Sequence, residues 1–336
     1  MQPDKSLGEE SRYAYLFGRI KHLETKLITK DRFEKMLNAH DADGAIKIMA
    51  ETSYGPFVVD GEPGTVDIEG VLMTELRRTY ESLLPDVPER RYLDVFFIEY
   101  DIQNLKVLLK SRLSPGSAGE EDVFVNAGTL EKKKFINLLA SDLDTITEAF
   151  PDYATDIKRA ASMYEEVRDI SVIDSALDAA LYRRMAELSV GNWLLENIVT
   201  MQADVGNMKL VARAKNIGRE RDRIFFLPGG TMTDRELTSL YDRGGADAFA
   251  PFAHRYGKIV PPALEEYRQI GSWLGLEKYV TDVVMETARG SRHVMGAEVL
   301  AGYILAKKLE IGTLRMIIIS KLTGTPAERV RAVWSA

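Results

Sequence analysis

Apolar residues recur at intervals of three and four along most of the chain. The segment from Tyr92 to Leu113 shows the pattern best, because its apolar positions fall on one stripe of a helix. The stripe consists of Val95, Ile98, Ile102, Leu105 and Leu109. Alternation with period two is nearly absent, and its best example, residues 54–70, is too rich in glycine and proline to form a strand. The pattern predicts an all-α fold.

Helix starts and loops can be located from residues that cap or interrupt helices. Thr233 and Glu236 have the spacing of a capping box, in which each side chain bonds the other residue's backbone N–H. Segments rich in glycine and proline at 113–120 and 227–232 are typical of loops. We predict that these two loops are domain boundaries.

A six-residue motif occurs three times. It begins with an acid, ends with a base, and reads DIQNLK at 101–106, DVGNMK at 204–209 and EIGTLR at 310–315. The starts are 103 and 106 residues apart, and each acid is followed eleven residues later by another base. These later bases are Arg112, Lys215 and Lys321. The repetition predicts three related segments of about a hundred residues each.

Two further landmarks recur upstream of the motif. A trio of apolar residues at i, i+3 and i+4 begins at Phe33, Phe135 and Leu237, which are 102 residues apart. A tyrosine follows each of these anchors after 21, 18 and 19 residues, at Tyr54, Tyr153 and Tyr256. We therefore predict three similar helical-bundle modules at residues 1–117, 118–227 and 228–336. Three like modules can close around a pseudo-threefold axis with a hollow centre.

The repeated motif places polar side chains on a helix face that is otherwise mostly apolar. Its residues are Asp101, Asn104 and Lys106, then Asp204, Asn207 and Lys209, then Glu310, Thr313 and Arg315. A carboxylate in such surroundings needs hydrogen-bond donors, because an unpaired buried polar group costs about 1 to 3 kcal/mol. We predict that each acid accepts bonds from a neighbouring helix end or base and fixes how its helix packs. A carboxylate that binds a cation or a proton is the alternative.

Composition narrows the class of protein. The 336 residues carry 51 acids against 44 bases, a net charge of -7, and include no cysteine. Without cysteine there is no disulfide, thiol nucleophile or Cys-ligated metal, which favours a reducing compartment. The polar first ten residues lack a secretion signal, and no apolar run approaches the roughly 18 to 20 residues of a spanning helix. We expect a cytoplasmic protein that does not cross the membrane.

No set of residues has the spacing of a known catalytic or metal site. The chain lacks the glycine-rich loop of P-loop ATPases, the histidine pairs of helical zinc sites and the GxSxG turn of serine hydrolases. We therefore expect no catalytic residue, no cofactor and no bound metal.

The densest basic segment begins at the end of the second copy of the motif. After Lys209 it contains Arg213, Lys215, Arg219, Arg221 and Arg223, interspersed with acids. Such a segment is most often a solvated helix end, and without interleaved aromatic residues it does not predict nucleic-acid binding. Acidic loops of a partner or anionic head groups remain possible ligands. These arginines and Lys215 are candidate partner-binding residues.

Three segments that carry these features resemble one known family. They read YAYLFGRIKHLETKLITKDRFEKMLNAHDADGAIKIMAETSYG at 13–55, FFIEYDIQNLKVLLKSR at 96–112 and AGYILAKKLEIGTLRMIIISKLTG at 301–324. They are similar to the C subunit of the archaeal and bacterial A/V-type ATP synthases, the family of the eukaryotic V-ATPase d subunit. The likeness covers essentially the whole chain. It implies an all-helical, funnel-shaped protein of three similar domains.

The resemblance also implies a function and partners. By this resemblance we expect a non-catalytic socket, peripheral on the cytoplasmic face of the membrane, that joins the central shaft subunits to the proteolipid ring. Such a socket would couple ATP turnover to proton or sodium transport. Two alternatives stay open. One is a helical adaptor outside a rotary motor, and the other is an all-α enzyme, which would need a deep pocket lined by acids.

Overall fold

The computed structural model describes residues 5–58, 66–114, 123–216, 218, 221, 224–244, 248–271, 273–290 and 295–333. Across these ranges the regular structure is helical and no β-strand occurs, so the all-α prediction is confirmed. The helices are α1 (Lys5–Glu24), α2 (Lys30–Leu37), α3 (Ala42–Ala50), α4 (Ile68–Leu83), α5 (Arg91–Asp94), α6 (Ile98–Leu113), α7 (Lys132–Asn137), α8 (Leu143–Ala149), α9 (Ala154–Val167), α10 (Ser171–Ser189), α11 (Trp193–Asn216), α12 (Asp234–Arg243), α13 (Val260–Ile270), α14 (Leu274–Gly290), α15 (Ala297–Thr323) and α16 (Ala327–Val333).

The chain divides into two compact units. Unit 1 combines Met1–Leu93 with Leu274–Ala336, and unit 2 is Asp94–Trp273. Unit 1 thus brings the N-terminal and C-terminal segments of the chain together. The division into three modules rests on repeated sequence rather than on compactness, and it stays a prediction.

The long helix α15 is the centre of unit 1. It packs against α1, α2, α3, α4 and α14. Because neighbours surround it, buried residues occur on all its sides rather than on one stripe. A helix of this kind can bury polar groups only if its neighbours supply their hydrogen-bond partners.

Unit 2 is organised around α10, which packs against α6, α9 and α11. Its largest described apolar cluster includes three stacked aromatic rings. The ring centroids of Phe124 and Phe135 are 6.2 Å apart, and those of Phe135 and Phe150 are 5.2 Å apart. Phe135 is the apolar anchor that the repeat predicted at the start of the second trio, and its side chain is fully buried.

The helix predicted from Tyr92 to Leu113 is interrupted. Helix α5 ends at Asp94, residues 95–97 form a turn, and α6 begins at Ile98. The backbone N–H of Phe97 donates to the carbonyl of Asp94 at 2.8 Å, a tighter connection than the i to i−4 bond of an α-helix. The prediction of one continuous helix is wrong, although all five residues of the predicted apolar stripe are buried.

The capping box predicted at Thr233 is confirmed. Its hydroxyl accepts from the backbone N–H of Glu236 at 3.3 Å, and the carboxylate of Glu236 accepts from the backbone N–H of Thr233 at 2.8 Å. Throughout the described ranges, no helix combines the length and the apolar character needed to cross a membrane.

Candidate functional site

The first copy of the motif, on α6, holds the loop segment that precedes α7. Asp101 on α6 accepts hydrogen bonds from the backbone N–H of Thr129 at 3.0 Å, the hydroxyl of Thr129 at 2.5 Å and the backbone N–H of Leu130 at 3.1 Å. A Cβ at Gly128 would clash with this carboxylate. Glycine at 128 therefore allows the backbone to approach the acid closely.

The amide of the same motif binds a second stretch of backbone. Asn104 donates to the carbonyl of Val125 at 2.8 Å and accepts from its N–H at 2.8 Å. Both side chains are buried, with Asp101 3% and Asn104 0% exposed. The acid and the amide together satisfy backbone groups that have no helical partner.

The second copy repeats this geometry. Asp204 on α11 accepts from the N–H of Thr231 at 2.8 Å, its hydroxyl at 2.6 Å and the N–H of Met232 at 3.1 Å. Asn207 exchanges two bonds with the backbone of Leu227, at 3.0 and 2.7 Å. A Cβ at Gly230 would clash with Asp204, as one at Gly128 would with Asp101. We call each such acid, together with the segment it holds, a joint.

The third joint is built differently. Glu310 on α15 accepts from the backbone N–H of Ile28 at 2.5 Å and from the hydroxyl of Tyr54 at 2.7 Å. Thr313, which stands where the other copies have asparagine, donates to the carbonyl of Leu309 on its own helix at 2.8 Å. The third joint therefore connects the C-terminal helix to the N-terminal segment of unit 1 through the acid.

A buried lysine completes the third joint. Lys307 Nζ lies 2.7 Å from Glu310 Oε1, 2.9 Å from Glu75 Oε1 on α4, and 3.4 Å from the hydroxyl of Ser53. It also lies 4.7 Å from the centre of the Tyr54 ring. Lys307 and Glu75 are each 2% exposed and Glu310 is 4% exposed, so these charges are stabilised mainly by one another.

The tyrosines predicted as landmarks lie at the acids of the joints. Tyr54 donates to Glu310, and the hydroxyl of Tyr256 donates to Asp204 at 2.5 Å. The pKa of both hydroxyls is raised, mainly by burial and to a lesser extent by the nearby acid. Burial also raises the pKa of Tyr153, with a further contribution from the charge of Asp101. Each tyrosine is thus kept in its neutral form, in which Tyr54 and Tyr256 donate to the acids.

Two bases of the motif, Lys106 and Arg315, pair with acids of their own unit. Lys106 Nζ lies 2.6 Å from Asp178 Oδ1. Arg315 forms a bidentate ion pair with Glu69, with N···O distances of 2.8 and 2.7 Å. Lys209 is half-buried, and burial lowers its pKa. Eleven residues after the third acid, Lys321 donates to the carbonyl of Ala39 at 2.5 Å, just beyond the end of α2.

Asp101 gives a pH dependence that can be measured. Burial raises its pKa to about 6, while the hydrogen bonds from Thr129 and Leu130 act in the opposite direction. Since the ordinary pKa of this carboxyl is 3.8, the folded state binds more protons than the unfolded state between about pH 4 and pH 6. We expect the contribution of Asp101 to stability to fall by about 3 kcal/mol over this window as pH rises, and to be constant above it.

Urea unfolding of the wild-type chain and of Asp101→Asn at pH 4, 5, 6 and 7 tests this expectation. Asparagine does not titrate, so the free energy of unfolding of the wild type should exceed that of Asp101→Asn by more at pH 4 than at pH 7. A difference that is equal at all four values would contradict the assigned pKa.

Three of the five candidate partner-binding residues lie in the described part of the chain, and all three are exposed. Arg213, Lys215 and Arg221 are exposed, and Lys215 Nζ lies 4.5 Å from the centre of the Tyr241 ring. Arg219 and Arg223 lie outside the described residues.

A cleft of about 840 Å³ lies within unit 1, beside the third joint. Its wall includes Lys307 and Glu75, which pair with each other, and Arg78, whose Nε lies 3.0 Å from Glu75. Basic side chains such as Lys26 and Lys35 also line it. Within the described ranges, no three histidine or acidic side chains gather in a way that could hold a metal ion.

Several residues of the joints cannot be found from the motif alone. The glycines and the threonines that follow them are distant in sequence from the acids they contact, and Glu75 is distant from Lys307, with which it pairs. Lys307 is close in sequence to Glu310, but nothing in the helical pattern distinguishes it from other lysines. One signal was available in the sequence. Gly-Thr-Leu at 128–130 and Gly-Thr-Met at 230–232 both stand seven residues before an apolar anchor, at Phe135 and Leu237.

Taken together, these features define an internally repeated helical protein whose motif acids are engaged by donors of the same chain. The chain belongs to the ATP synthase (C/AC39) subunit family, whose model matches residues 16–333.

The relatives of the chain carry related names. It is 24% identical to the C subunit of the A-type ATP synthase of Methanocaldococcus jannaschii, over 96% of this chain and 86% of the relative. It is also 24% identical to the C subunit of the A-type ATP synthase of Archaeoglobus fulgidus, over 96% of both chains. The C subunit of the V-type sodium ATPase of Enterococcus hirae is 24% identical over 95% of this chain and 97% of the relative.

Proposed function

We propose that this protein is a non-catalytic rotor subunit of an A/V-type ATP synthase or ATPase, a socket that joins the central shaft to the membrane proteolipid ring. The observation that carries the proposal is the match over nearly the whole chain to proteins named as the C subunits of such complexes. The proposed socket is peripheral on the cytoplasmic face of the membrane. It couples ATP turnover to the transport of protons or sodium ions.

The three joints support this proposal physically. A part that transmits torque must deform little, and closely packed protein interiors have low compressibility. The joints add hydrogen bonds between buried acids of long helices and segments that are distant in sequence, up to 282 residues for Glu310 and Ile28. Since these acids are occupied by donors of the chain itself, their arrangement favours a structural role over cation or proton binding.

The basic segment that begins in the last turn of α11 and continues beyond it in sequence supplies a candidate contact. Arg213 and Arg221 are exposed and positively charged, so they would attract an acidic surface of a partner locally even though the chain as a whole carries a net charge of -7. Polar contacts of this kind are typical of interfaces that can form and separate.

Co-purification of the full chain with the shaft subunits and the proteolipid ring tests the proposal. The wild-type chain should retain both, and Arg213→Glu with Arg221→Glu should weaken retention by about tenfold. The matched control is Arg235→Glu with Arg329→Glu, a change of equal charge at exposed positions outside this segment. A wild-type chain that retains neither partner would overturn the rotor function and favour an adaptor outside a motor. Equal retention of the partners by both double variants would show that the basic segment is not the contact, and it would leave the rotor function standing.

A further inference from the structure

The three joints combine the acid and the loop residue in two different ways: a short acid with glycine, or a long acid with lysine. Gly128, Gly230 and Lys26 occupy the same place, seven residues before the anchors Phe135, Leu237 and Phe33. The two glycines are paired with aspartates, and Lys26 is paired with a glutamate. In each joint the acid accepts from the N–H of the residue two positions later.

Steric contact explains why short acid and glycine occur together. Aspartate has a short side chain, so its carboxylate reaches the loop only if the backbone comes close, and the Cβ of any other residue would clash there. Glutamate is longer by one methylene, about 1.5 Å. It therefore bonds the N–H of Ile28 across a segment in which Lys26 carries a full side chain.

The acid of one arrangement does not fit the loop of the other. An aspartate at 310 would fall about 1.5 Å short of Ile28 and Tyr54, which are bonded at 2.5 and 2.7 Å. A glutamate at 101 or 204 would drive its carboxylate into the backbone of the Gly-Thr segment. The mismatch leaves buried polar groups without partners in both cases.

We propose that acid length and the loop residue form a pairing code that directs α15 to its own N-terminal segment, and away from the Gly-Thr segments that α6 and α11 hold, during folding. The code matters most for α15, because Glu310 must find Ile28 across 282 residues, whereas Asp101 and Asp204 reach their N–H donors across at most 29. Closing the longer loop is slower and entropically costlier. Without discrimination, α15 would compete for the nearer Gly-Thr segments, or for those of a second chain, as repeated proteins do when they misassemble.

Four chains test the code. They are the wild type, Glu310→Asp, Lys26→Gly with Leu27→Thr, and the combination of all three changes, which gives the third joint an Asp-Gly-Thr arrangement. Equilibrium urea unfolding measures the match between acid and segment. Refolding from urea followed by size-exclusion chromatography measures the fraction that returns to the wild-type elution position.

We expect each mismatched chain to lose stability and the combined chain to regain at least about tenfold in its unfolding constant over Glu310→Asp. We also expect the combined chain, in which all three joints have an Asp-Gly-Thr arrangement, to return to the wild-type position about threefold less completely because swapped and oligomeric species form. A combined chain no more stable than Glu310→Asp would overturn the length rule. A combined chain that is stable and refolds as completely as the wild type would overturn the pairing code.

Discussion

Replacement of Lys307 by methionine is expected to lower the free energy of unfolding by about 3 to 5 kcal/mol. Methionine fits the volume of the lysine stem but removes the positive charge that lies between Glu75 and Glu310. Both carboxylates are almost completely buried, so the variant must either keep two negative charges out of water without the lysine that lies between them or protonate them. Urea unfolding followed by far-UV circular dichroism measures the loss.

Two controls separate the charge from the loss of packing. Adding Glu75→Gln to Lys307→Met removes one of the uncompensated charges and should recover part of the lost stability. Lys35→Met, on the exposed side of α2, should change stability by no more than about 0.5 kcal/mol. A Lys307→Met chain as stable as Lys35→Met would show that the buried ion pairs do not form.

Gly230→Ala is expected to cost about 3 kcal/mol, because the added methyl group would clash with the carboxylate of Asp204. The loop must then move away, and the bonds from Thr231 and Met232 lengthen or break. The backbone of Gly230 does not have a positive φ, so the loss reflects contact rather than backbone strain. Thermal and urea unfolding both measure it.

Gly312→Ala is the matched control on α15. A Cβ there meets nothing within 4 Å, and alanine is a better helix former than glycine, so this change should raise stability by about 0.5 to 1 kcal/mol. Opposite signs for the two glycines are the expected result. A loss of similar size at both positions would mean that Gly230 has no special contact with Asp204.

The sequence predicted the fold class and the positions of the motif acids because both depend on local periodicity and on repetition. Apolar spacing of three and four residues predicts helices wherever they occur, and the acids stand out because they recur at fixed spacing. The break between α5 and α6 was not predicted, since the turn at 95–97 keeps Val95 and Phe97 buried and the apolar pattern continues through it.

The partners of the acids were harder to predict because they are remote in sequence. Thr129 lies 28 residues from Asp101, and Tyr54 lies 256 residues from Glu310. Lys307 reads as one of several lysines on a helix, and only the packing of α4 against α15 shows that it is buried beside Glu75. Periodicity reports which face of a helix is covered, but it does not report which element covers it.

The distance in sequence between Tyr54 and Glu310 also orders events on the ribosome. Translation at about 5 to 20 residues per second separates these two residues by roughly 10 to 50 s. During that interval the nascent N-terminal helices lack the helix that will bury their apolar faces, while the whole of Asp94–Trp273 has been synthesised before α15 begins. Premature termination before α15 is complete would therefore release a chain whose beginning, rather than its end alone, is left unfolded.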